Sequence, residues 1–420
     1  MTKILGLLKK ISVPSQLYLL GIISASIASA DAATATLRWN GNPNSLAQSF
    51  RNALNEAGNG GTIVLPPRTY RTNREILIDR RVFIRGGNRN NTRIRATTNG
   101  NRLFNIAANG VTFQNIELDG QNRVNNVINN FRRSGLRVQN SRVQNAVRYN
   151  IGNADFYPNR RLRVIGSIIR NGRFGIGILN RNNTVTRAEN IEKFEIINTT
   201  IEGFGFTAVE IDCANDLGGF TTNFNRSIVR DCTMNGPGDF CVGATQSRAL
   251  TFENNTLTCR HDPAHFEFRS KDILVRRNRL RTTSNGSFAG VALIPGDRIL
   301  GPSNGNTPTG NGFRNPTPND HANGCRSIRV MGNTFLGSAQ WGVLSVEAAD
   351  CRIQFNNFRN LNVRNNRGSI ILLTDGDGSR SGFNGSNASR GSRRFTINNN
   401  SGLSRSQIEF QNGVGHSINQ

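Results

Sequence analysis

One short pattern recurs along most of the chain and narrows what it can fold into: apolar, any, apolar, any, then Asn, Gly or Asp, with another apolar residue three places on. Clear copies run Val111-Thr-Phe-Gln-Asn115, Leu136 to Asn140, Leu162 to Gly166, Phe194 to Asn198 and Leu250 to Asn254. Copies with a substituted first or fifth position follow at Ser227 to Asp231, Ile273 to Arg277, Ile328 to Gly332, Cys351 to Phe355 and Phe395 to Asn399. The shortest interval between copies is 23 residues, from Leu250 to Ile273 and from Ile328 to Cys351. Alternating apolar residues turn one face of a short strand inward, and the small or turn-forming fifth residue bends the chain. No such unit can bury its face alone. Stacked about 4.8 Å apart, successive units share one core and pair their backbones, so the pattern predicts a parallel β-helix.

A second strand signature lies between the copies: Gly175 to Asn180, Thr207 to Asp212, Ala264 to Arg269, Gly290 to Ile294 and Gly342 to Glu347. Each coil therefore carries at least two strands. The recurring Asn115, Asn140, Asn198 and Asn254 are expected to stack in an internal amide ladder. Upstream, Leu46, Phe50, Ala53, Leu54 and Ala57 share one helical face after Ser45, and Gly58 supplies a stop, which predicts a short helix over the open end of the solenoid. The expected organisation is a signal segment at 1–30, an N-terminal segment with the capping helix at 31–75, and the parallel β-helix at 76–420. Insertions rich in Gly, Asn, Pro and Ser interrupt it near 283–324 and 376–393. Both read as surface loops, and the first carries Asp297, Arg298, Asp320 and His321.

After the helix, Gly60-Gly-Thr-Ile-Val-Leu-Pro-Pro-Arg-Thr-Tyr70 leads into the coils. Helix, Gly-Gly-Thr-Ile-Val-Leu-Pro, Thr-Tyr and then stacked coils together resemble the pectin-lyase-like β-helix proteins, over most of residues 45 to 410. The resemblance implies an all-β, right-handed parallel β-helix whose flank binds a long polysaccharide, on a scaffold that serves lyases, hydrolases, epimerases and depolymerases alike.

The formal charge is +25, and nearly all of the basic residues are arginine; lysine occurs only at Lys3, Lys9, Lys10, Lys193 and Lys271. Planar guanidinium forks suit carboxylate, sulfate or phosphate groups, so an acidic polysaccharide is the expected partner. A nucleic acid is not expected, because the basic residues are spread along the chain with few aromatic residues among them. Lys3, Lys9 and Lys10, the apolar stretch Leu17 to Ile27 and Ala28-Ser-Ala30 read as a secretion signal, placing the protein in a secreted, periplasmic or cell-surface setting with no transmembrane span after signal removal. Cys213, Cys232, Cys241, Cys259, Cys325 and Cys351 then lie where disulfides can form, with their pairing open. The oligomeric state is open too.

Strand alternation sends Glu210 and Asp212 outward, leaves Gly243 as an open rung, and sends His265, Glu267 and Arg269 outward two coils later, with Lys271 just beyond and Asp239 at a strand entrance. Phe266 and Phe268 are expected inward. Carboxylates on rungs about 10 Å apart could straddle a sugar and hydrolyse its glycosidic bond. The other chemistry is elimination from a uronate, with Arg269 or Lys271 as base and arginines or a Ca2+ ion, the one cofactor called upon, neutralising the sugar carboxylate. Against either stand a non-catalytic binding or adhesive rod that uses its arginine-rich surface alone, and a subunit of a surface structure whose open coil end joins another chain. Gly238-Asp-Phe-Cys241 resembles the Gly-Asp-Asp-Cys of polygalacturonase-like hydrolases, and Arg269-Ser-Lys271 resembles their Arg-x-Lys clamp. Phe240 replaces the second Asp, however, no Asn-Thr-Asp precedes it and no Gly-His-Gly follows. The Asp-Pro-His of alginate epimerases is likewise interrupted by Ala264, so neither family's activity carries over. His261 and His265 with Asp262 match no firm metal-ligand spacing.

Overall fold

The computed structural model describes residues 32–130, 133–152, 161–179, 193–212, 222–283, 289–294, 324–365, 368–374, 392–410 and 415–420. The signal segment, Cys213, Asp297, Arg298, Asp320, His321 and most of both insertions lie outside them.

Every strand pairing is parallel to the neighbouring coil, giving three long sheets wound as a right-handed parallel β-helix. Sheet A runs from Thr34–Thr36 to Ser417–Asn419, sheet B from Thr69–Thr72 to Asn357–Val363, and sheet C from Ile76–Ile78 to Ile408–Phe410. Sheet A thus begins inside the N-terminal segment, ahead of residue 76. Each coil contributes three strands, one more than the two sequence signatures. The third, on sheet B, is often only three residues long, such as Arg142–Gln144 and Ile168–Arg170, too short for its alternation to register as a pattern.

Like residues stack because the register is held from coil to coil: Phe113, Val138, Val164, Ile196 and Val229 align along sheet A, all inward. Their side chains and those of sheets B and C form one continuous apolar core. At its N-terminal end helix α1 (Leu46–Ala57) lays Leu46, Phe50, Ala53, Leu54 and Ala57 onto the core, with Phe50 edge-on to Phe104 at 5.7 Å. It ends where Gly58, at φ 71°, donates its N–H to the Leu54 carbonyl at 3.0 Å.

The bend from sheet A to sheet B corrects one expectation. Asn115, Asn140, Asn198 and Asn254 sit there with φ between 47° and 57°, in the left-handed region that Asn and Gly tolerate, and Gly166 and Gly332 occupy the equivalent place. A residue in this conformation turns its side chain outward, and Asn140, Asn198 and Asn254 are exposed. The internal ladder belongs to the next residue. Asn255, Asn278, Asn333, Asn356 and Asn400 are buried, and each amide nitrogen in the first four donates to the next amide oxygen at 2.9 to 3.0 Å.

The cysteines correct another. Cys232, Cys241, Cys259, Cys325 and Cys351 are free, buried thiols packed as small apolar side chains, so none of these five is disulfide-bonded. Burial pushes the Cys232 and Cys351 thiols up to about 12. No described helix is long and apolar enough to cross a membrane.

Candidate functional site on sheet C

The outer face of sheet C changes character along the axis. Toward the N-terminus it carries a row of rings, Tyr149, Phe174, Phe206 and Phe240, with successive centroids 4.5, 5.5 and 5.6 Å apart. The Arg148 guanidinium lies 5.2 Å over Tyr149, and that of Arg173 lies 5.6 and 5.7 Å over Phe174 and Phe206. Toward the C-terminus the face is apolar, with Ala292, Ile294, Trp341, Leu344 and Leu372 clustered. The charged residues fall between.

Three strands in register build that middle section: Thr207–Asp212, Phe240–Thr245 and Asp262–Glu267. Glu210, Gly243 and His265 share one row, and Asp212, Thr245 and Glu267 share the next. A carboxylate rung therefore stands on either side of a rung that carries only glycine and threonine. The space over Gly243 is shaped by its neighbours, since a Cβ there would lie 3.5 Å from Glu210 Oε2 and 3.7 Å from Thr207 Cγ2.

His265 holds this section together. Its Nδ1 lies 2.9 Å from Asp262 Oδ2, its Nε2 lies 2.5 Å from Glu267 Oε1, and its ring packs on Phe240 at 4.2 Å. Asp262 is anchored in turn by the Ala289 N–H, which donates to Oδ1 at 2.7 Å. Burial alone would lower the His265 pKa, but the charge of Glu267 and the hydrogen bonds to Asp262 and Glu267 outweigh it and raise the value to about 10. At neutral pH both ring nitrogens donate, and both carboxylates accept. The imidazolium thereby wires Glu267, 8% exposed, to an Asp262 that solvent does not reach.

The expected site residues separate into three groups. Glu210, Asp212, His265 and Glu267 come together on sheet C, although Asp212 is 2% exposed and does not project to solvent. Asp239 lies on the turn before its strand, bound by Arg260 at 2.5 and 3.0 Å with His261 at 3.8 Å. Arg269 and Lys271 leave the face altogether. The strand ends at Glu267, and Phe268 and Arg269, with φ 45° and 60°, turn the chain so that Lys271 opens a strand of sheet A. Phe268 is accordingly half-buried and outside the core.

Asp262 is the member that alternation misses. Asp262 Oδ2 lies 2.9 Å from His265 Nδ1, so the two side chains meet on one side three residues apart, where a strict period of two would oppose them. Among the described residues no group of His, Cys, Asp and Glu is arranged to hold a metal ion. Both His265 ring nitrogens already face carboxylates.

With its three parallel sheets wound as one solenoid and a helix over its N-terminal end, the molecule has the architecture of a right-handed parallel β-helix. No family model and no curated protein sequence matches the chain. Among solved structures, the DFA-IIIase from Arthrobacter chlorophenolicus A6 superposes over 90% of this chain and 97% of its own, at 12% identity and a TM-score of 0.53. The mannuronan C-5 epimerase AlgE4 A-module of Azotobacter vinelandii covers 78% of this chain and 94% of its own at 11% identity and a TM-score of 0.45. The Dettilon tailspike protein gp208 covers 79% and 68% at 9% identity and a TM-score of 0.48. At these identities the likeness is one of fold.

Proposed function

We propose that this protein is an exported β-helix that binds an acidic polysaccharide along sheet C and cleaves it between the two carboxylate rungs. The observation that carries the reading is the grid of Glu210 and Asp212, then Gly243 and Thr245, then His265 and Glu267. Its outer rungs are two strand spacings, about 10 Å, apart at the backbone. Side chains leaning across the gap bring the carboxyls toward the roughly 6.5–9.5 Å that leaves room for a water beside a sugar in inverting hydrolysis. Glu267, held as a hydrogen-bond acceptor by the His265 imidazolium, is placed to activate that water. Glu210, over the glycine rung, is the acid across the gap. Hydrolysis is favoured over elimination because Arg269 and Lys271, the bases that elimination would use, lie on the corner and on sheet A. The DFA-IIIase, whose fold is shared over most of both chains, is a precedent for enzymatic chemistry on this scaffold.

The test is incubation of the mature protein with a panel of acidic polysaccharides, with and without calcium, following reducing ends, unsaturated-product absorbance and polymer retention together. New reducing ends without unsaturation are expected. Unsaturated ends would replace hydrolysis by elimination, and retention without product would leave a binding rod.

A further inference from the structure

Once Lys271 is placed on sheet A, it joins a second charged feature. Arg248, Lys271, Arg326, Ala349 and Arg393 occupy one row across five successive coils, and Leu274, Arg329, Arg352 and Thr396 occupy a parallel row beside it. The intervening bend holds Asp272, Ser327, Asp350 and Arg394 at φ of 50° to 59°. These positions carry seven cations and two carboxylates, and Arg394 clamps one of the two, Asp350, at 2.5 and 2.7 Å. Among the described residues Arg248, Lys271, Arg329 and Arg352 form no ion pair, while Arg326, Arg329 and Arg352 are exposed. Arg329 and Arg352 stand directly opposite each other on adjacent strands, an arrangement of like charges that costs stability unless an anion lies across it.

We infer that these rows form a second binding track for the acidic polysaccharide, on sheet A and separate from the cleavage face on sheet C. The inference rests on the proposed substrate class and names a further site for it. The rows follow the solenoid axis with one rung about every 4.8 Å, so they run about 19 Å over five coils. A chain carrying one carboxylate per sugar can set an anion near successive rungs. No aromatic ring stands in either row, so the track reads charge and spacing without stacking. Its position suits holding a long polymer while another stretch occupies sheet C, which raises local substrate concentration through a second point of attachment.

Affinity electrophoresis of the mature protein through gels containing polygalacturonate or alginate at low salt tests this. The comparison is wild type, Arg329→Gln/Arg352→Gln, and a charge-matched Arg71→Gln/Arg85→Gln control drawn from exposed arginines of the N-terminal coils. The track predicts that the first pair weakens retardation about three-fold or more, that the control pair changes it little, and that salt abolishes the difference. Melting temperatures of both pairs should equal or exceed that of wild type, because each removes positive charge from a basic molecule. Equal weakening by the control pair, or no retardation of wild type, would overturn the track. Equal loss on duplex DNA run alongside would overturn the saccharide assignment. Failure of the cleavage reading is read separately: Glu267→Gln abolishes product and keeps retardation, whereas Arg329→Gln/Arg352→Gln keeps turnover of short oligosaccharides and raises KM only for the long polymer.

Discussion

His265 ties stability to pH in a defined direction. Its pKa rises from an ordinary 6.5 to about 10 on folding, so the stabilisation from its proton is complete below pH 6.5 and is lost as the pH climbs through 10. His265→Gln should therefore lower stability by a few kcal/mol near pH 6 and by much less above about pH 10, measured by denaturant unfolding at both values. A gap that does not change with pH would mean that the ring is neutral in the fold. Phe355 offers the opposite case, a residue working against its backbone. It is 57% exposed at φ 58° in the bend where most other coils place Asn or Gly, and Phe355→Asn should stabilise the protein by about 1 kcal/mol. At this scale the sequence displays the bend but conceals the ladder. The bend residue varies among Asn, Gly, Arg and Phe in the later coils, while the residue after it is Asn at 255, 278, 333, 356 and 400. That constancy is the signal of an inward amide, and the more conspicuous turn residue masks it.

At the level of the strand, the site depends on an empty rung. Gly243 has room for one extra carbon in ordinary contact with Glu210 and Thr207, and its backbone is not in the left-handed region. Gly243→Ala should fold and retain activity, whereas Gly243→Val fills the space between Glu210 and His265. It should lower kcat/KM about 100-fold with stability changed by roughly 1 kcal/mol or less, as read by steady-state kinetics beside a thermal melt. Alternation within strands was sufficient to find Glu210, Gly243, His265 and Glu267 as outward neighbours across three coils. It fails where strands begin and end. Asp262 meets His265 three residues along, out of step with a period of two, and Arg269 and Lys271 are lost to the face because two left-handed residues turn the corner after Glu267. The departures from a period of two come from tertiary stacking, which one strand's sequence does not contain.

For the whole molecule, the repeat was enough to define the solenoid, since only stacked coils let the short apolar strands share a core. Charge was legible as a total and not as a pattern. The register separates it into a buried acid–imidazolium–acid chain on sheet C and two rows of cations on sheet A. Under the proposed function, one flank holds a polymer and another cuts it. The most direct test is the rate of reducing-end release from an acidic polysaccharide by wild type and by Glu267→Gln, at a pH where both are folded. Measurable release by wild type is expected, with a loss of about 100-fold or more in the variant and retention on the polymer unchanged. Equal rates, or no release by wild type from any polymer in the panel with or without calcium, would contradict the cleavage reading.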